Sequence, residues 1–202
     1  MDLKSQADTP SLPEDDTGHA RPGLLVASPR LDGSVFARTV VLLCDYGDEG
    51  AMGLVVNRGL EISIGEVMDQ LDIVREDGEF VDSVLWGGPV EPAAGLVICD
   101  TQGGPTPEGC LATVPDTSLC VSASRVILEA IAGGRWPGAY HLCLGYAGWA
   151  GGQLEQEIDD GSWLVSEFDP DLLDAPMSER WGLAVEGFGL GQSLMWIPPI
   201  EE

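Results

Sequence analysis

Residues 139–163, A-Y-H-L-C-L-G-Y-A-G-W-A-G-G-Q-L-E-Q-E-I-D-D-G-S-W, constrain the fold more than any other stretch of the chain. Tyr140–Leu144 is a short apolar run with aromatic and branched side chains, which predicts a strand buried on both faces. Gly145, Gly148, Gly151 and Gly152 follow, interleaved with Tyr146 and Trp149. Glycine supplies positive φ and lets other groups approach the backbone closely, so residues 145–152 read as a loop. Gln153–Ile158 predicts a short helix, with Leu154 and Ile158 on one face and Gln153, Gln156 and Glu157 on another. Strand, glycine-aromatic loop and helix together build a ligand crevice in many α/β proteins. Two large rings in such a loop either plug the core or line a site. The ligand reading requires the backbone to kink after Leu144 so that Tyr146, Trp149 and Gln153 frame a cleft. A phosphate site fits poorly. The spacing G-x-x-G-x-x-G matches neither the dinucleotide nor the Walker pattern, no lysine follows, and Glu155 and Glu157 already place negative charge in the first turn of the helix.

Read in order, residues 1–22 predict a disordered acidic tail, and 23–202 the folded domain. Leu24–Ala27 and Thr39–Tyr46 predict strands, the second rich in branched residues. Gly47–Gly50 is turn chemistry, and Ala51–Asn57 returns as the other arm of a hairpin. Ile64–Leu71 predicts a helix capped by Ser63, with residues 72–81 a charged loop. Val84–Trp86 is a brief strand closed by Gly87-Gly88-Pro89-Val90, and Gly95–Cys99 is another. Residues 100–118, with Pro105, Pro107 and Pro115, read as an exposed loop or flap. Leu119–Val121 is extended, and Ser122 or Ser124 caps a helix to about Ala132 that Gly133-Gly134 ends. Ser162–Ser166 predicts a strand, and Pro176 opens a last helix with Trp181, Ala184 and Val185 on one face. The ending S-L-M-W-I-P-P-I-E-E reads as an edge strand stopped by Pro198-Pro199. Interspersed strands and helices without regular βαβ units predict an α+β domain with a mixed sheet and helices packed outside it.

Charge and cysteine usage narrow the function classes. The formal net charge is −25, and Lys4 is the only lysine. That field opposes nucleic acid and anionic membranes, whose phosphates are held by clustered Lys and Arg. No run approaches the length of a membrane span, and the N-terminus lacks the basic start and apolar centre of a signal peptide, so a cytosolic protein is expected. Five cysteines without a C-x-x-C pair read as small apolar fillers in a reducing compartment. With only His19 and His141 to assist, no metal site or cofactor is expected.

Catalytic arrangements are thin. His141 lies mid-strand, where a satisfied core histidine is the default, although it shares a face with Cys143 at i, i+2. Glu155 and Glu157 point apart on their helix, and general acid–base work by Glu157 is unsupported. The few arginines are more informative. Arg38 precedes a buried strand, and Arg58 follows one directly after Asn57. Such arginines either pair with local carboxylates or present donors to an anionic or polar ligand.

The segments F-A-R-T-V-V-L-L-C (36–44), G-A-M-G-L-V-V-N-R (50–58), G-G-P-V (87–90), G-Y-A-G-W-A-G-G-Q-L-E-Q-E-I (145–158) and S-W-L (162–164) together resemble the YqgE/AlgH family of bacterial proteins. The likeness runs from about Gly23 to about Gly189. The resemblance implies a single compact α+β domain with a bifurcated or mixed sheet, a cytosolic location and no established activity. It also implies that Arg38, Asn57, Arg58, Gly87, Gly88, Pro89, Tyr146, Trp149, Gln153 and Glu157 match signature positions that converge on one surface groove. Departures are Ile98-Cys99-Asp100 where the family has Leu-His, Val126 where it has aspartate, and the C-terminal ending. The expected function is a non-catalytic binding or regulatory module for an unknown protein or small-molecule ligand. The alternatives are a transcriptional regulator acting on DNA directly, as homologues are labelled, and an enzyme of unknown reaction.

Overall fold

One long strand organises the molecule. In the computed structural model, which describes residues 23–76, 80–114 and 117–189, strand β9 runs unbroken from Tyr140 to Ala150. The loop expected at 145–152 is therefore strand as far as Ala150, and only Gly151-Gly152 turns. The reason is local. Gly145 takes φ +72 and the pairing register shifts across that point, so a bulge absorbs the kink and the ladder resumes beyond it. The expected tail at 1–22, with Lys4 and His19, and the expected C-terminal edge strand lie outside the described residues.

The other strands are β1 (Leu24–Ala27), β2 (Val40–Gly47), β3 (Gly50–Val55), β4 (Gly59–Ser63), β5 (Ser83–Trp86), β6 (Val90–Asp100), β7 (Cys110–Thr113), β8 (Leu119–Ser122) and β10 (Trp163–Ser166). With β9 they form one sheet, eight of whose strands run in the order β10-β1-β2-β3-β9-β6-β8-β7, each neighbouring pair along that path antiparallel. Along the β3 edge of β9 the sheet forks. Cys143 and Leu144 pair in parallel with Leu85 and Trp86 of β5, whereas Ala147–Ala150 pair with β3. β5 in turn pairs with β4, antiparallel. The α+β class and the mixed, bifurcated sheet are as the sequence implied. β4 and β7 were not anticipated.

Three apolar cores follow from the alternation of side chains along these strands. The concave side of the sheet holds Leu24, Val40, Leu42, Leu54, Ile98, Val121 and Cys143, closed by helix α4 (Met177–Glu186) through Trp181, Ala184 and Val185. Outside β6, β8 and the first half of β9, helices α1 (Ile64–Gln70) and α2 (Arg125–Ala132) cover Val97, Cys99, Cys120 and Leu142. Outside β1–β3 and the second half of β9, helix α3 (Gln153–Asp159) covers Leu25, Val41, Val55, Trp149 and Trp163. α1 starts with a full capping box: Ser63 Oγ accepts from Glu66 N–H, and the Glu66 carboxylate accepts from Ser63 N–H. At α2 the N-cap is Ser124, without a side-chain cap. Ser122 instead donates to the Gly109 carbonyl, tying β8 to the start of β7.

Candidate functional site

The G-G-P segment is where the chain changes sides of β9. β5 lies along one edge of that strand and β6 along the other, so residues 87–89 cross its backbone. Gly87 N–H donates to the Leu144 carbonyl at 2.9 Å, and Gly87 O accepts from Val55 N–H at 2.8 Å. This stitches β3, β5 and β9 together at the fork. A Cβ on Gly87 would collide with the Gly145 carbonyl, and one on Gly88 with the backbone of Tyr146 and Ala147. Backbone crosses backbone here, and only glycine permits that approach. Pro89 stays exposed beyond the crossing.

The two rings of the central stretch part company. Tyr146 packs on the concave core and Trp149 on the core beneath α3, so they occupy opposite faces of β9. An odd spacing within a strand requires this, and the two rings do not frame a common cleft. Trp149 is 7% exposed, and its indole N–H donates to Glu157 Oε2 at 2.9 Å. The buried Trp163 donates to the same oxygen at 2.8 Å. Gln153 donates to Glu157 Oε1 at 2.9 Å while its own Oε1 accepts from Ala150 N–H at 3.0 Å, bridging strand end and helix start. Glu155 is equally committed. Its Oε1 accepts from Tyr46 Oη at 2.5 Å, and that hydrogen bond, ahead of burial, pushes the phenol up to about 12.

The arginine cluster grips the turn before β2. Asn57 Oδ1 accepts from Val40 N–H at 2.8 Å, and its Nδ2 donates to the Arg38 carbonyl at 2.9 Å. Arg38 is thereby held at φ +54, a conformation disfavoured for a residue with a side chain. Arg58 donates through Nη1 to Val35 O and through Nη2 to Ala37 O at 2.6 Å. The two guanidinium groups then diverge. Arg58 lies over the Trp86 ring at 5.3 Å, and Arg38 over Trp181 at 5.7 Å.

Aromatic contacts join the two clusters. Trp149 meets Trp163 edge-on at 5.9 Å, Trp163 meets Phe36 at 5.6 Å, and Phe36 meets Trp86 at 6.1 Å. A row of rings thus runs from Glu157 to Arg58. Its inner members are buried. Its outer members, Phe36 and Trp86, are half-buried beside Val35, which is 56% exposed. Phe36, Trp86 and Trp163 were not singled out from sequence, although F-A-R and S-W-L were both noted as motifs.

Other candidates sit in poor surroundings for catalysis. Cys143 is fully buried, and burial pushes its thiol well above the usual range. Burial, then the nearby Arg180, lowers His141 to about 4, with Asp174 and Asp82 opposing. Sequence reasoning missed Arg180. It is 4% exposed and donates to the carbonyls of Val56 (2.5 Å), Leu173 (2.6 Å) and Ala175 (2.9 Å), which locks α4 to the end of β3. Its position beside Trp181 on the inward stripe of α4 was the available signal. Arg125 forms an i, i+4 ion pair with Glu129 at 2.8 Å. Among the described residues no group of three or more His, Cys, Asp or Glu is placed to hold a metal ion, and no helix is long and apolar enough to cross a membrane.

Comparison with known proteins agrees with this architecture. The family model described as AlgH-like matches residues 24–192. A UPF0301 protein of Stenotrophomonas maltophilia is 42% identical over 169 residues, covering 83% of this chain and 88% of that protein. A UPF0301 protein of Idiomarina loihiensis is 40% identical over 169 residues, covering 82% and 89%. The solution structure of the AlgH protein from Pseudomonas aeruginosa superposes with a TM-score of 0.71 at 34% identity, over 90% of this chain and 95% of that one. A crystal structure from Corynebacterium diphtheriae shares the fold, with a TM-score of 0.68 at 23% identity, over 91% and 93%.

Proposed function

The chain belongs to the AlgH-like family, and from that premise we propose that it is a non-catalytic binding and regulatory protein of the cytosol. Its recognition surface is the outer end of the aromatic row. Val35, Phe36, Trp86 and Arg58 form a ledge there, whereas Gln153 and Glu157 hold the inner end of the row and Arg38 turns away onto Trp181. Asn57, Gly87, Gly88, Tyr146 and Trp149 act as the scaffold that sets the ledge. The observation that carries this reading is the exposure of Val35 against half-buried rings and a stacked guanidinium. Aromatic and arginine side chains are the groups that anchor protein interfaces. The ligand is a protein segment or a small molecule with an apolar body and an acceptor for Arg58.

Direct action on DNA is disfavoured by the net charge of −25. A thiol-based enzyme is disfavoured by the burial of Cys143. The test is capture from native lysate by wild type and by a Val35→Glu variant, at an exposed position of the ledge. The variant should melt within a few degrees of wild type and lose the captured species. Equal capture by both would remove the ledge from consideration.

A further inference from the structure

β6 and β8 set two thiols face to face. Cys99 and Cys120 are direct cross-strand partners, and their sulfurs lie 3.2 Å apart. Directly opposed residues in an antiparallel ladder have Cα atoms about 4.5–5.5 Å apart, within the roughly 4.4–6.8 Å that a disulfide spans. A third thiol, Cys110 on the neighbouring β7, interacts with Cys120 but directs its own S–H to the Ala112 carbonyl at 3.1 Å. Cys120 also contributes to the wall of an open cleft of about 610 Å³, with Asp100, Thr101, Thr113 and Ser118. Both thiols are nonetheless buried, Cys99 0% and Cys120 1% exposed, beneath α1 and α2, so an oxidant reaches them only as that cover opens.

We propose that Cys99 and Cys120 are a site of reversible oxidative modification, joined as an intrachain disulfide by a hydroperoxide. The Cys120 sulfur attacks one peroxide oxygen. An S–O bond forms, the O–O bond breaks, and the thiol proton leaves with the departing hydroxide as water. The Cys99 sulfur then attacks the Cys120 sulfenic acid. The S–S bond forms, the S–O bond breaks, and the second thiol proton leaves in a second water. Two thiols lose two electrons and two protons, and the peroxide is reduced to two waters. Burial pushes the Cys99 thiol well above its usual range, and the contact with Cys120 adds to this. The thiolate is the reactive form, so the pair responds to sustained oxidant and not to a brief pulse. The closed bond ties β6 to β8 and cyclises the segment that carries most of the cleft wall.

The experiment uses the full chain, reduced and then exposed to millimolar hydrogen peroxide. Intact mass should fall by two hydrogens. Combined cleavage at Glu108 and Asp116 places Cys99, Cys110 and Cys120 on separate peptides, and a Cys99–Cys120 link that dithiothreitol reverses should be found. Cys110→Ser should keep the link, and Cys99→Ala should abolish it while leaving the circular dichroism spectrum unchanged. Oxygen adducts without a crosslink would overturn the proposal. So would a link through Cys110, or a crosslink lost in Cys110→Ser.

Discussion

The indole N–H of Trp149 donates to Glu157 at 2.9 Å from a ring that is only 7% exposed. A carboxylate on the first turns of α3 thus satisfies a buried donor on β9. Because Trp163 of β10 uses the same oxygen at 2.8 Å, Glu157 holds two strands and a helix in one geometry. The acid that reads as helix-dipole ornament in the sequence is the polar centre of the outer core.

Removing that acceptor orphans two buried indole donors. Each unsatisfied buried donor costs about 1–3 kcal/mol, so Glu157→Ala should lower unfolding stability by about 2–6 kcal/mol. Glu157→Gln keeps one oxygen for the indoles but sets its amide against the Gln153 donor, and should cost about half as much. Urea midpoints for both variants measure this. A Glu157→Ala midpoint equal to wild type would show that water replaces the carboxylate.

The crossing over β9 gives a harsher result. Gly88→Ala places a Cβ against the backbone of Tyr146 and Ala147, which has no side chain to move aside. Overpacking of this kind costs about 3 kcal/mol at the upper end of its usual range. Gly88→Ala should therefore accumulate in the insoluble fraction, whereas Gly134→Ala, which meets open space at φ +62, should stay soluble and lose about 1 kcal/mol.

Arg38 allows backbone strain to be separated from its stacking on Trp181. Both Arg38→Ala and Arg38→Gly delete the guanidinium, but only glycine adopts φ +54 without penalty. Arg38→Gly should be the more stable of the two by about 1 kcal/mol. The reverse order in thermal melts would mean that Asn57 does not hold this conformation in solution.

His141 makes stability depend on pH. Its folded pKa of about 4 lies below the ordinary value of 6.5, so the fold favours the neutral ring. Stability is full above pH 6.5 and is lost as the pH falls from there towards 4. Between pH 7 and pH 5 the loss from this one group is about 2 kcal/mol. His141→Gln should flatten that part of the profile. An identical slope in wild type and variant would assign the acid sensitivity to the carboxylates.

Periodicity made much of the fold legible. Leu24–Ala27 is observed as read, and the helix capped by Ser63 and the hairpin of β2 and β3 lie within a residue or two of their expected bounds. What failed has one cause. Gly145, Ala147, Gly148 and Ala150 look like loop because small residues are poor strand formers in isolation. In the fold their pairing with β3 and β6 decides. β7 was hidden the same way: Pro105 and Pro107 marked a flap, yet Cys110–Thr113 alternates half-buried and exposed as an outer strand does. Among the signature residues, Asn57 and Gly87 could be picked out from sequence, but their partners could not. Val40 and Gly145 are distant along the chain, and no local pattern encodes those meetings.

The pairing of β1 with β10 has a consequence for biosynthesis. Leu24 waits for Ser166, and the forked strand between the two halves of the sheet is itself complete only at Ala150. A nascent chain leaving the ribosome therefore exposes the apolar edge of its first hairpin until residues 150–166 have emerged. Contacts so distant in sequence slow folding, and the repulsion among acidic side chains during that interval keeps unfinished chains apart.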